Sequence, residues 1–229
     1  MKPRALDLFC GAGGVAMGLH RTGFEVVGVD LAKQPHYPFT FIRGDALEAS
    51  IKGFDFIWAS PPCQCYSAST KALRNEGREY PDLIEPTRAK LIASGKPYII
   101  ENVVGAPLRN TTMLCGTMFG LKLLRHRLFE TSWPIPALTL SCSHQGDEIP
   151  VYGHGTPSWH KHRNGREGRG NYSTAEKRIA MGIDWMTLDE LSQAIPPAYS
   201  EWLARHAMDL LRPKKLGKTQ RATGVAKTP

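Results

Sequence analysis

The sequence has no apolar run near the roughly 18 residues that a membrane-crossing helix needs, so no spanning segment and no membrane partner are expected. The opening Met1-Lys2-Pro3-Arg4 leads straight into a strand-like run with no apolar leader, so the expected address is cytoplasmic. Cysteine is scarce and odd in number: Cys10, Cys63, Cys65, Cys115 and Cys142. A chain of 229 residues can build a core without a disulfide scaffold. The thiols are therefore expected to be reduced, mostly small buried hydrophobes, with room for one reactive group. Acid is missing from the end of the chain, where Arg212, Lys214, Lys215, Lys218, Arg221 and Lys227 follow Leu211. Without these six, 23 basic residues stand against 21 acidic ones, so most of the net +8 sits in the tail. Such a tail is either a solvated, disordered end or an attraction for phosphates. Internal repeats are lacking as well.

What the sequence does have is alternation. Strand-like runs at 5–9, 25–30, 40–44, 54–59 and 97–101 are interleaved with helical patterns at 15–20 and 83–93. That order predicts a parallel sheet with helices on both faces, and ligands at the carboxyl ends of its strands. From about 132 to 171, Gly, Pro, His and Ser dominate, with no sustained period. Helical patterns return at 173–181, 188–194 and 197–211. The expected division is a catalytic α/β unit at 1–131, a small recognition region at 132–171, helices completing the first unit at 172–211, and a basic tail at 212–229.

Three places carry chemistry. "LDLFCGAGG" (6–14) follows the first strand and opens a helix, whose N-terminal N–H groups favour an anionic ligand. Asp30 ends the next strand, near the spacing at which an acid meets a ribose hydroxyl, and Asp45 ends the third. The loop is not G-x-G-x-x-G, which disfavours a dinucleotide and leaves an adenosine-containing ligand with a carboxylate or amine tail. "SPPCQ" places Cys63 just past the fourth strand, behind a rigid proline pair, with Gln64, Tyr66 and Ser67 following. "IIENV" places Glu101 at the end of the fifth strand, where a carboxyl can act as an acid or anchor an amine. "LLRHRLF" sets Arg125 and Arg127 two apart, on one face if the segment is a strand, which suits a phosphate or an anionic ring oxygen.

Taken in order, "DLFCGAGG", "SPPCQ", "ENV", "RHR", "YSTAEKRIAMGI" and "QAIPPAY" resemble the motifs of the DNA (cytosine-5) methyltransferase family, over roughly residues 4 to 210. The resemblance implies a Rossmann-like S-adenosylmethionine-dependent methyltransferase fold with a small loop-rich target-recognition lobe. It implies S-adenosylmethionine as methyl donor, with S-adenosylhomocysteine as product, and double-stranded DNA as partner. By resemblance Cys63 adds to cytosine C6, Glu101 holds N3 and the exocyclic amine, Arg127 contacts O2, and Arg125 supports the nucleophile loop. Phe9, Gly11, Ala12, Gly13, Gly14, Asp30, Leu31, Asp45, Ala46, Pro62, Gln193, Ala194 and Ile195 are the implied cofactor contacts. Gln64, Tyr66, Ser67, Asn102, Arg163, Arg166 and Arg169 are the implied substrate contacts, around a base turned out of the duplex. A monomer is implied, solitary or beside a cognate restriction endonuclease, in a bacterial or phage-infected cell.

The sequence departs from the family pattern at Leu123, where Gln is usual, and at Ser192-Gln193, where Gly-Asn is usual; Gln193 offers the same amide on a longer arm. The recognition region is only about 40 residues, so a short or relaxed recognition sequence is expected. Cys142, His144, His154, His160 and His162 do not match zinc-finger spacings and are read as polar DNA-facing or loop residues, with no metal expected. RNA as the polymer, and a catalytically weak DNA-binding relative, are the alternatives. The intact Cys63, Glu101 and arginine pair speak against the second.

Overall fold

A computed structural model describes residues 1–136, 141–151 and 172–212. Five runs form parallel strands: β1 (Arg4–Leu8), β2 (Glu25–Asp30), β3 (Thr40–Arg43), β4 (Phe56–Ala59) and β5 (Tyr98–Asn102). The central ones read as almost unbroken apolar sequence because both faces are buried. Their alternation builds two cores. Ala5, Val26, Phe56, Trp58 and Ile99 face one side, beneath α1 (Gly14–Arg21) and the C-terminal helix. Leu6, Leu8, Val27, Ile57, Ala59 and Ile100 face the other, with Leu91 of the helix Ile84–Ser94.

The expectation of a parallel sheet holds for these five strands and fails for the last two. β6 (Thr112–Leu114) and β7 (Arg127–Thr131) are antiparallel to each other, and β7 is antiparallel to β5, in the order β3-β2-β1-β4-β5-β7-β6. The chain between β6 and β7 makes a single 3-10 turn (Gly116–Phe119), which turns it back on itself instead of carrying it across the sheet. This reversal places the first residue of β7 at the same rim as the carboxyl end of β5.

Among the described residues the remaining α-helices are α2 (Lys71–Asn75), α3 (Ile84–Ser94), α4 (Thr174–Met181), α5 (Leu188–Gln193) and α6 (Pro197–Leu211). Their starts are written in the sequence. Ser173 with Glu176, and Thr187 with Glu190, form capping boxes, and Pro197 opens α6. α6 lies against α1 so closely that a Cβ on Gly18 would meet Pro197 O at 2.3 Å and Ser200 Oγ at 2.1 Å. A buried bidentate pair fixes α3 to β7: Arg88 Nε donates to Glu130 Oε1 at 2.8 Å and Nη2 to Oε2 at 2.7 Å. Among the described residues, no helix is long and apolar enough to cross a membrane. Most of the recognition region (137–140 and 152–171) and of the basic tail (213–229) lies outside the described residues.

Candidate active site

The glycine loop leaves β1 through Phe9, a non-glycine residue with φ 58, and enters α1 through Gly13 with φ 87. A left-handed Phe is strained by sterics, and such strain concentrates at functional sites. Cys10 N donates to Val29 O at 3.1 Å and Gly13 N to Cys10 O at 3.1 Å, which pins the turn to the neighbouring strand. Asp30 supports the loop from the end of β2: Gly11 N donates to its Oδ2 at 3.0 Å and Ala32 N to its Oδ1 at 2.9 Å.

These residues fit an adenosine-type cofactor on observations of their own. A Cβ on Gly11 would meet open space, so one side of the loop is bare. Leu31 leaves 71% of its surface exposed next to Asp30, an apolar side chain placed to cover an adenosine. Each Asp30 oxygen keeps a second lone pair for a ribose hydroxyl after its backbone bond. Asp45 is exposed and takes the Leu47 N–H at 2.8 Å. Ala46 is buried in the core beneath it. Ala12 O accepts from Trp185 Nε1 at 2.9 Å. Ile195 is buried, with its carbonyl 2.3 Å from where a Gly14 Cβ would lie, so it seats the first turn of α1. Ala194 packs beside it, and Gln193 is exposed at the end of α5.

Asp7, which the sequence reading passed over, is fully buried in β1 with neither carboxyl oxygen hydrogen-bonded. Burial, then the nearby Asp30 charge, pushes its carboxyl well above the ordinary range, which favours its neutral form. Its signal was the acid inside the apolar "LDLF", a buried-polar exception worth reading.

The nucleophile loop leaves the next strand, β4. Asn102 Nδ2, buried at the end of β5, donates to Pro61 O at 3.0 Å, while Asn102 Oδ1 accepts from Val103 N at 2.9 Å. This fixes the backbone two residues before Cys63, beside the half-buried Pro62. Tyr66 N and Ser67 N both donate to Cys63 O, at 2.9 and 2.8 Å. The predicted substrate residues beyond it mainly shape this loop. Tyr66 Oη donates to Asp82, Ser67 Oγ bonds Ser69 Oγ at 2.7 Å, and Gln64 O accepts from Arg74 Nη1 at 2.6 Å. The Gln64 side chain is exposed.

Glu101, 6% exposed, meets Arg127 at the rim: Arg127 Nε lies 3.2 Å from Glu101 Oε1. Burial raises the Glu101 carboxyl above its ordinary value, while Arg127, a hydrogen bond from Ser60 and Arg125 pull it back. Burial also raises the Cys63 thiol, the Glu101 charge raises it further, and Arg127 and Arg125 oppose both. Ser60, itself bonded by Trp58 Nε1 at 3.0 Å, is a second residue that motif reading missed, although it opens "SPPCQ".

The two arginines do not share a strand face, because β7 begins at Arg127 and Arg125 precedes it. Arg125 is 4% exposed and reaches elsewhere: Nη1 donates to Val151 O at 2.9 Å and Nη2 to Ser192 O at 2.6 Å. Tyr199 Oη donates to the Arg125 carbonyl at 2.6 Å. One guanidinium thus ties the late motif and the recognition region to the rim, and the other serves Glu101. Leu123 is a core residue, 1% exposed. Arg163, Arg166 and Arg169 lie outside the described residues.

This sheet order, with a bare glycine loop and an acid at the next strand end, defines an S-adenosylmethionine-dependent methyltransferase with a Rossmann-like fold. Within that class, residues 4–112, a little under half of the chain, match the model of the C-5 cytosine-specific DNA methylase family. Among solved structures it is similar to a variant of Spodoptera frugiperda DNMT2, with 14% identity, TM-score 0.58, and coverage of 90% of this chain and 99% of that one. S. pombe Dnmt2 methyltransferase gives 12%, 0.57, 91% and 99%. Entamoeba histolytica methyltransferase EhMeth gives 13%, 0.54, 93% and 100%. A curated relative, the 23S rRNA (uracil(747)-C(5))-methyltransferase of Pyrococcus abyssi, is 27% identical over 117 residues, which is 44% of this chain and only 28% of that protein's length.

Proposed function

We propose that the protein methylates C5 of cytosine in double-stranded DNA, with Cys63 as nucleophile. The observation that carries this reading is a thiol under the opposing charges of a buried Glu101 and its partner Arg127, on the rim beside the glycine loop. Cytosine C5 is a poor nucleophile until the ring is opened to electron flow by addition at C6. A Cys63 thiolate adding to C6 forms an S–C bond and moves the C5–C6 π electrons onto C5. Glu101, its carboxyl raised, supplies a proton or hydrogen bond at N3, where the negative charge would otherwise accumulate. Protonating Glu101 also removes the charge that holds the thiol up, so the acid and the nucleophile favour each other's working states. Arg127 is placed to bind O2. The glycine loop, Asp30 and Leu31 would hold S-adenosylmethionine, which would supply an electrophilic methyl group: the C5–CH3 bond forms as the sulfonium S–CH3 bond breaks, and S-adenosylhomocysteine leaves. Removal of the C5 proton then returns the electrons to C5–C6 and expels Cys63. The proline pair and Asn102 hold the sulfur on a defined path of attack.

The Pyrococcus relative, named for an RNA C5 methylation, favours RNA as a second reading. The test offers purified protein methyl-labelled cofactor with equal amounts of unmethylated duplex DNA and RNA, and analyses nucleosides by mass spectrometry. Labelled 5-methylcytosine in DNA is expected, and its loss with Cys63→Ala. Label in RNA alone would replace the first reading with the second, and no label in either would sink both.

A further inference from the structure

The hairpin that delivers Arg127 carries a second group of chemically active side chains. β6 and β7 pair with Leu114 opposite Arg127, so the next positions along the ladder are Cys115 and His126. Opposed residues of an antiparallel pair have neighbouring Cβ atoms. From the described start of the recognition region, Cys142 and His144 come down onto this pair. One ligating atom from each of the four lies within 4.8 Å of every other. Cys115 Sγ is already 3.4 Å from His144 Nε2, and the His126 and His144 rings sit 5.1 Å apart.

We propose that Cys115, His126, Cys142 and His144 form a structural zinc site. Two thiolates and two imidazoles are the donor set that zinc takes in closed tetrahedral sites. Zinc bond lengths of about 2.0–2.3 Å put tetrahedral ligand atoms roughly 3.3–3.8 Å apart, so the four need only a small contraction. Cys115 is fully buried, and His126 Nε2 is buried with no hydrogen-bond partner. Buried polar nitrogens are normally partnered, and a metal would satisfy this one. Thr117 Oγ1, 3.5 Å from Cys115 Sγ, supplies the outer hydrogen bond that thiolate ligands attract. Burial pushes the Cys115 thiol up, but the approach of His126 and hydrogen bonds from Thr117 and His144 outweigh this and bring it down to about 6.

Sequence spacing concealed the site because it weighed only the residues from Cys142 onward. Cys115 and His126 lie upstream, and strand pairing brings them in. His154, His160 and His162 lie outside the described residues. The role follows from position. Arg127 Nη1 donates to the His126 carbonyl at 2.8 Å, so a metal on His126 steadies the backbone that aims the arginine at Glu101. It also fastens the recognition region to that hairpin.

The full-length protein, purified without chelator from zinc-supplemented cells, should hold about one zinc per chain by elemental mass spectrometry. Cobalt exchanged into it should give the visible bands of a tetrahedral ion and a thiolate charge-transfer band. Cys142→Ser and His144→Ala should each lose the equimolar metal. Because those variants could unfold, the cobalt spectrum of the natural chain stands as an independent test. Absence of zinc together with failure to compete with a chromophoric chelator would overturn the site. So would a cobalt spectrum without thiolate ligation, or variants that keep equimolar metal.

Discussion

Arg127 Nε sits 3.2 Å from Glu101 Oε1, and the charges of both are felt at the Cys63 thiol. The carboxylate raises the thiol and the guanidinium lowers it, so the two substitutions should move it in opposite directions. In Glu101→Gln the thiolate should form at lower pH, and in Arg127→Gln at higher pH. Alkylation of Cys63 by iodoacetamide, followed by peptide mass spectrometry across a pH series, reads the midpoint directly. Shifts of the same sign in both variants would refute the arrangement.

Asn102 acts through the backbone of the nucleophile loop, because its amide holds Pro61 O. Asn102→Ala should leave Cys63 chemically intact but loosely aimed. Single-turnover rates should fall by about 100-fold, with cofactor affinity unchanged, and the melting temperature should drop modestly for one lost buried hydrogen bond of about 1–3 kcal/mol. A rate within a few-fold of the natural chain would mean that the prolines position the sulfur alone.

Asp30 ties Gly11 N to the end of β2 and keeps a second lone pair on each carboxylate oxygen. Asp30→Ala removes both the loop support and the proposed ribose acceptor. Hydrogen bonds to charged groups contribute about 1.5–3 kcal/mol, so the dissociation constant for S-adenosylhomocysteine should rise by roughly 10- to 100-fold. Calorimetric titration measures it.

Glu130 is buried with Arg88 and also accepts the Arg109 N–H at 2.8 Å. Glu130→Ala leaves the buried Arg88 guanidinium with only Glu85 and the Pro107 carbonyl, and leaves the Arg109 N–H without its acceptor, which should destabilise the fold by about 3 kcal/mol. Denaturant unfolding reads this without reference to activity.

The parallel half of the sheet was legible because its strands are short apolar runs divided by glycine turns and capped helices, and β1, β2 and α6 lie close to where the pattern put them. The β6–β7 hairpin was not, since Thr112–Leu114 is too short to show a period and the reversal is made by tertiary pairing with β5. Cys63 and Glu101 could be placed on the rim from the sequence because each follows an apolar strand run, whereas Arg127 opens β7 ahead of Leu128 and Phe129. The shared face of Arg125 and Arg127 depended on both lying in a strand, and the strand begins only at Arg127. Asp7 and His126 escaped for different reasons. The first is a lone acid in a strand run, whose surroundings show only when burial is known, and the second gains its neighbours only when the chain folds.

The central claim is covalent attack by Cys63 on cytosine C6. A duplex carrying 5-fluorocytosine tests it most directly, because fluorine at C5 cannot leave as the proton does and the Cys63 sulfur stays bound after methyl transfer. Incubated with S-adenosylmethionine, the protein should gain the mass of one DNA strand plus one methyl group, with the modified peptide mapping to Cys63. No adduct, or an adduct on Cys65 in its place, would contradict the account.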